Sequence, residues 1–247
     1  MTTEDEDLAA VMRLHRGMAR QGPGTAEDVR WALEALGVSG EARVLDAGAG
    51  PGADTETLAE ALPEARIEAV DASPALVAEA RARLARFGPR VTVREGDMAR
   101  VEGPYDLIWC AGALYFLGVT DGLRAWRGAL APGGTVAFSE PVYLTDPPSE
   151  AARAFWAGYP AITGLSGLEA RVRAAGYAVE AVRHLGPEAW RGYMDALEGR
   201  IEELETSGER PDDPALAAAM AEARAEVAAW RAAPEDIGYA LVLARPA

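Results

Sequence analysis

The sequence predicts an α/β protein built on a doubly wound, mostly parallel seven-stranded sheet that carries helical cap insertions. Three observations point there. Short apolar runs alternate with helix-length segments across residues 43–140, as parallel strands joined by crossover helices require. The first run, Arg43-Val44-Leu45-Asp46-Ala47, breaks into Gly48-Ala49-Gly50-Pro51-Gly52, with glycine at every second position. Two stretches, 142–165 and 186–235, exceed what such a sheet needs.

Each element has a local reason. Residues 4–19 read as a helix that ends in the turn Arg20-Gln21-Gly22-Pro23-Gly24. Thr25 with Asp28 three residues on is a capping arrangement for a second helix, ending near Gly37. Strands follow at 43–47, 66–71, 90–97, 105–111 and 135–140, with helices at about 55–62, 74–87 and 121–130. Tyr177–Leu185 is the sixth strand and Ile237–Arg245 the seventh. The chain reads as a single domain, 1–247: helices over 1–40, a sheet core over 41–141, and the two insertions. The second insertion holds two helical patterns, split near 207–214 by Gly, Pro and Asp. With the first helix they are expected to cap the C-terminal ends of the strands, where open α/β sheets bind ligands.

Composition excludes several function classes. The net charge is −15, and nucleic-acid binding depends on basic side chains that neutralise phosphates. Solubility explains such a charge, and a cationic substrate is a sharper explanation. All basic side chains except two histidines are Arg, since there is no Lys, so Schiff-base chemistry is out. The Ala, Gly and Arg excess suits a GC-rich genome. One cysteine, Cys110, allows no internal disulfide, which fits a reducing cytoplasm. The start, MTTEDEDLAA, is acidic and unlike a signal peptide. No apolar run approaches the roughly 18 residues that span a bilayer. No His or Cys cluster has zinc spacing, so no metal site is expected.

The glycine loop carries the chemistry. Glycine lets a backbone turn with φ > 0 and approach a ligand closely, and the following helix N-terminus offers free N–H groups to an anionic group. The spacing is G-x-G-x-G rather than the dinucleotide G-x-G-x-x-G. Acids then close the second and third strands at Asp71 and Asp97 (RIEAVD and RVTVREGD). The fourth strand, YDLIWCA, and the segment APGGTVAFSE complete the series. Five motifs in this order and spacing resemble the class I S-adenosylmethionine (SAM)-dependent methyltransferases, whose fold is a Rossmann-like sheet with an antiparallel last strand.

The resemblance implies a set of cofactor-binding residues. Gly48, Gly50 and Gly52 would surround the methionine part of SAM, and Asp46 would fix the loop and the SAM ammonium. Asp71, with Ala72 beside it, would hold the ribose hydroxyls. Asp97 would take the adenine amino group, with the Met98 backbone on the ring edge. Cys110 and Ala111 would pass near the cofactor, Cys110 as a small packed residue rather than a nucleophile. Arg20-Gln21-Gly22-Pro23-Gly24, Gly112-Ala113-Leu114-Tyr115, Ser139-Glu140, Phe155-Trp156, Tyr159-Pro160 and Gly238-Tyr239 resemble segments of a narrower group of bacterial methyltransferase-like proteins. By that likeness Arg20 or Gln21 reaches the SAM carboxylate.

Three residues are candidates for the chemical step. Tyr115 can set its ring near a sulfonium, where a cation–π contact is favourable, or orient the acceptor. Glu140 can bind an acceptor amine or accept a proton. His15, on the first helix, can fold over the site. Trp156, Tyr159, Trp190 and Tyr193 fall in the cap segments, as core or as pocket lining. Asp146-Pro147-Pro148-Ser149 lacks the aromatic residue of the amino-methylating signature and follows the wrong strand. The expected reaction is an in-line displacement that moves the sulfonium methyl to a small molecule, a cation in the sharper reading of the net charge, and leaves S-adenosylhomocysteine. A protein or peptide acceptor, or SAM binding without catalysis, are the alternatives.

Overall fold

Strand–helix alternation resolves into one twisted sheet in the computed structural model, described here for residues 3–206 and 213–247. Its strands are β1 (Arg43–Ala47), β2 (Arg66–Asp71), β3 (Val91–Glu95), β4 (Tyr105–Ala111), β5 (Leu130–Tyr143), β6 (Thr163–Gly164), β7 (Tyr177–Leu185) and β8 (Ile237–Pro246). Their order is β3-β2-β1-β4-β5-β8-β7, with the two-residue β6 paired to β5. The first five strands are mutually parallel, and β8 runs antiparallel to both β5 and β7. The chain winds outward from β1 through β2 to β3, then restarts at β4 on the other side. This reversal opens a crevice between the C-terminal ends of β1 and β4.

The helices are α1 (Thr3–Leu14), α2 (Ala26–Leu36), α3 (Ala53–Ala61), α4 (Pro74–Leu84), α5 (Val119–Trp126), α6 (Glu150–Phe155), α7 (Leu165–Ala174), α8 (Pro187–Thr206) and α9 (Pro214–Ala232). The Thr25–Asp28 capping box forms at the start of α2, and Gly37 ends it with φ 67. Ser73 caps α4, with Pro74 in its first turn.

Strand alternation divides the core between the two faces of the sheet. Val44, Ile67, Leu107 and Trp109 pack on one face with Leu14, Leu58, Trp190 and Trp230. Leu45, Val70, Ile108 and Phe138 pack on the other with Leu123, Trp126, Leu168 and Val172. α1, α8 and α9 pack on one another, and together they add a helical layer to the first face.

Several boundaries differ from the sequence reading. α1 ends at Leu14, and α4 at Leu84, where a 3-10 segment over Ala85–Arg90 takes over. β5 starts at Leu130 and continues past Glu140 to Tyr143, because β8 pairs along it as far as Tyr143↔Ile237. Residues 142 and 143, expected in the first insertion, therefore belong to the sheet. Partner pairing rather than local propensity decides such ends. The strand β6 was not expected; it extends the parallel side of β5 at Val142↔Thr163. The expected break at 207–214 lies largely outside the described residues.

Candidate active site

The glycine loop closes the crevice at the end of β1. Gly48, Gly50 and Gly52 have φ of 76°, 55° and 86°. Gly48 is obligatory on a second count. A Cβ built there would sit 2.6 Å from the Cβ of Ala113 in the loop after β4. The N–H groups of Gly48 and Ala49 both donate to the Val70 carbonyl, at 2.8 and 3.0 Å. Gly50 N–H donates to Oδ2 of Asp71 at 2.8 Å, and Ser73 N–H donates to Oδ1 of the same carboxylate at 2.8 Å. Asp71 thus ties the loop to the start of α4. Each of its oxygens keeps a further lone pair for a ligand hydroxyl.

Asp46 is buried at the end of β1 and accepts a 2.6 Å hydrogen bond from Thr55 Oγ1 on α3. Burial first, then the nearby charge of Asp54, pushes its carboxyl up to about 7. The Thr55 hydrogen bond and Arg20 oppose that rise, and Asp71 adds to it. Three carboxylates therefore sit around one glycine loop, a setting that favours a bound cation.

Arg20 forms an ion pair with Asp54 at the start of α3. Trp109 Nε1 on β4 donates to the other Asp54 oxygen at 3.0 Å. This arrangement links the α1–α2 connector to both the glycine-loop helix and the sheet. Beside Arg20, the buried amide nitrogen of Gln21 has no hydrogen-bond partner among the described residues.

At the next two strand ends, Asp97 follows β3, and its Oδ1 accepts the Ala99 N–H at 2.8 Å. Its side chain is about half exposed. Ala72 lies between Asp71 and Ser73 on the loop that Asp71 braces. The Met98 carbonyl accepts from Trp126 Nε1 at 2.7 Å, and its thioether lies 3.4 Å from the Cβ position built on Gly48. Met98 therefore lies across from the glycine loop. Cys110 is fully buried, and burial, followed by the charges of Asp46 and Glu140, pushes its thiol well up. A neutral thiol of this kind is packing, not a nucleophile. Ala111 ends β4, and the next N–H, from Gly112, donates to Ser139 Oγ on β5 at 2.8 Å.

Glu140 lies one residue beyond the last β4–β5 pair, Ala111↔Ser139, where β5 runs on above the end of β4. It is 1% exposed. Tyr159 donates to its Oε1 at 2.5 Å, while Oε2 is buried with no hydrogen-bond partner among the described residues. Burial pushes this carboxyl up to about 7, against the Tyr159 hydrogen bond and the charge of Arg171. Tyr115 sits in a 3-10 turn after β4, its ring 6.0 Å from that of Tyr159. Burial and the charge of Glu140 push its phenol up to about 12.

The helical layer adds a second acid. Glu226 on α9 is largely removed from water, which raises its carboxyl. Its charge acts on Tyr115, Tyr193 and Tyr239. His15 donates from Nδ1 to the Val11 carbonyl at 2.9 Å, since a carbonyl only accepts. Its Nε2 is then the acceptor for the Tyr193 hydroxyl at 3.2 Å. Burial lowers the His15 pKa, so the ring is neutral with both nitrogens engaged. Trp156 and Trp190 pack edge-on to each other and against Tyr239, which makes them core of the layer.

Sequence reasoning missed Asp54, Thr55 and Glu226. Glu226 had a signal. On α9 the buried positions Ala219, Ala223, Val227 and Trp230 form a stripe, and 226 falls three residues after 223 and four before 230, on its edge. Asp54 and Thr55 were hidden in a helix start, where acids and hydroxyls are ordinary.

A cleft of about 380 Å³ lies at the opposite end of the strands, where Leu36–Ser39, Glu41 and Ala42 meet Asp106, Gly133, Thr135 and Arg245. None of the site residues lines it. A crevice of about 10 Å³ touches Arg20, Asp54, Trp109, Ala111 and Ser139. Among the described residues no group of His, Cys, Asp and Glu side chains has the grouping of a metal site. No described helix is long and apolar enough to cross a membrane.

Comparison with known proteins agrees with this fold. Residues 44–134 match the family model described as a methyltransferase domain. The chain is 35% identical to a trans-aconitate 2-methyltransferase of Methylobacterium nodulans, over 87% of each chain. Among solved structures, a SAM-dependent methyltransferase from Geobacter sulfurreducens in complex with S-adenosyl-L-homocysteine is similar, with a TM-score of 0.84 and 23% identity. The match covers 97% of this chain and 98% of that one. A counterpart from Thiobacillus denitrificans, also bound to S-adenosyl-L-homocysteine, has a TM-score of 0.81 at 20% identity, covering 96% and 97%.

Proposed function

The chain belongs to the class I SAM-dependent methyltransferases, and we propose that its acceptor is a small, cationic molecule enclosed between the sheet and the α1–α8–α9 layer. The residues present fit the cofactor. A Cβ built on Gly50 would meet nothing within 4 Å, so the loop backbone there is left bare for a ligand. Asp46, Asp54 and Asp71 suit a sulfonium and an ammonium, and the unpartnered Gln21 amide, beside Arg20, suits a carboxylate. SAM supplies an electrophilic methyl group on a sulfonium.

In this reading Asp71 accepts from both ribose hydroxyls while it holds the Gly50 and Ser73 N–H groups. Asp97 and the Met98 backbone receive the adenine edge. Asp46, Gly48, Gly50 and Gly52 hold the methionine portion, with Cys110 and Ala111 beneath it. Arg20 shares its guanidinium between Asp54 and the cofactor carboxylate. Ala72 forms the floor beside the ribose. Glu140 and Tyr115 meet the acceptor. His15 acts through Tyr193, as a positioning residue, because its own nitrogens are already engaged.

One observation carries the reading: a carboxylate 1% exposed, with an oxygen that has no partner, at the strand end next to the glycine-loop crevice. Leaving such a group unpaired costs about 1–3 kcal/mol or more, which a bound cation or donor relieves. The packed helical layer favours a metabolite over a polymer, and the net charge of −15 favours a cation. A bacterial cytoplasm is the setting that the single buried cysteine and the named relatives support. The test uses SAM labelled in its methyl group, incubated with the protein and a bacterial extract split into metabolite, protein and nucleic-acid fractions. Protein-dependent label among metabolites is expected. Label in a polymer would overturn the reading.

A further inference from the structure

We propose that the accepting atom is an amine nitrogen and that Glu140 removes its proton. This rests on the methyl-transfer reading above and narrows it to one nucleophile.

The argument starts from what surrounds Glu140. Its Oε1 is held by Tyr159, so its Oε2, buried and unpartnered, is the atom left to meet a donor. The charged and titratable groups around it are few. Tyr159 and Arg171 approach from the segment after β5, Tyr115 from the turn after β4, Cys110 from β4 itself and Tyr239 from β8. The tyrosines are pushed up by burial and by the nearby acids, and the thiol is pushed well up. All stay neutral at physiological pH, and none of them is a base. Arg171 is a single cation, and its guanidinium also donates to the Ala161 carbonyl.

Aromatic rings stand beside this carboxylate: Tyr159, which donates to Oε1, and Tyr115, its ring 6.0 Å from that of Tyr159. A carboxylate acceptor at Oε2 would meet a like charge. An ammonium would meet an opposite charge and aromatic rings that favour cations. Trans-aconitate, the compound in the name of the M. nodulans relative, carries three carboxylates and is a poor match to this lining.

The step balances. The acceptor R–NH3+ gives a proton to Glu140 Oε2 and becomes R–NH2. The nitrogen lone pair forms the new C–N bond as the C–S bond breaks, its electron pair passing to sulfur, and the product R–NH2+–CH3 carries the positive charge. A carboxyl pushed up to about 7 suits a base working near neutrality.

The experiment pairs amines with matched carboxylates. Phenethylamine, tyramine and ethanolamine are compared with 3-phenylpropanoate and trans-aconitate, by S-adenosylhomocysteine release and by calorimetric titration into the complex with S-adenosylhomocysteine. The expected result is that amines bind and are methylated and the carboxylates are not. Glu140→Gln is expected to lower amine turnover by about 100-fold or more while SAM affinity stays within about twofold. Tyr159→Phe removes a hydrogen bond that favours the charged carboxylate, so the midpoint of kcat against pH moves upward. The inference is overturned if the carboxylates are the better acceptors, if Glu140→Gln leaves amine turnover unchanged, or if no amine binds. SAM binding with methylated carboxylates sinks this inference alone. Label found only in a polymer sinks the small-molecule reading.

Discussion

Asp71 ties the glycine loop to the start of α4 with one carboxylate: Oδ2 accepts the Gly50 N–H and Oδ1 the Ser73 N–H, each at 2.8 Å. The residue that is proposed to hold the ribose is therefore also the brace of the glycine loop. Asp71→Ala is expected to weaken SAM binding by about 2–4 kcal/mol, as two hydrogen bonds to a charged group are lost. Calorimetry reads this directly. Asp71→Asn, which keeps one acceptor, is expected to fall between. An unchanged Kd in Asp71→Ala would remove Asp71 from the cofactor site.

Asp46 predicts a pH dependence of cofactor binding. Its carboxyl titrates near 7 in the folded protein, against an ordinary value of 3.8. The folded state binds this proton more tightly than the unfolded chain does. Its contribution to stability is therefore greatest at acid pH and falls as pH climbs from about 4 to about 7. A bound ammonium favours the ionised form, so SAM affinity should rise through pH 7 and level off above it, with proton release on binding. Titrations in buffers of different ionisation enthalpy measure both. Asp46→Asn should raise the melting temperature of the free protein at pH 8 and remove the pH dependence of binding.

Gly48→Ala combines two penalties, a left-handed φ of 76° and a Cβ 2.6 Å from Ala113. The backbone term alone is about 1–2 kcal/mol, and overpacking costs about 1–3 more. Melting should fall by roughly 2–4 °C for each kcal/mol lost, and SAM binding should fall with it. Gly50→Ala has a positive φ but no close neighbour, so it should be milder. Equal losses at the two positions would mean that the approach to Ala113 is unimportant.

The Arg20–Asp54 ion pair ties the N-terminal segment to the glycine-loop helix. Arg20→Ala leaves Asp54 buried, with only the Trp109 N–H as partner. Breaking such a pair costs about 3–5 kcal/mol when fully buried; Arg20 is partly exposed, so about 2–3 kcal/mol is expected in urea unfolding. Arg20→Ala/Asp54→Asn should recover most of the stability, because Asn still accepts from Trp109. SAM affinity should stay low in the double variant. Restored affinity would show that Arg20 serves the fold and not the cofactor.

Local chemistry made much of the molecule readable in advance. The Thr25–Asp28 cap, the Gly37 stop, the Asp46–Gly52 loop and the acid ending β2 depend on residues close in sequence, and the structure contains each of them, while β3 ends at Glu95, two residues before the expected Asp97. The end of β5 was not readable, because its length is set by pairing with β8, about a hundred residues away.

What the sequence by itself determined is the strand–glycine-loop–helix unit, the order of the sheet elements and the family. These follow from apolar periodicity and from glycines that no other residue can replace. Tertiary structure decided which charges meet. Arg20 turned to Asp54, Tyr159 to Glu140 and His15 to Tyr193. No spacing along the chain encodes those contacts. They arise where segments distant in sequence are packed together and shielded from water, and burial there sets the protonation that the chemistry uses.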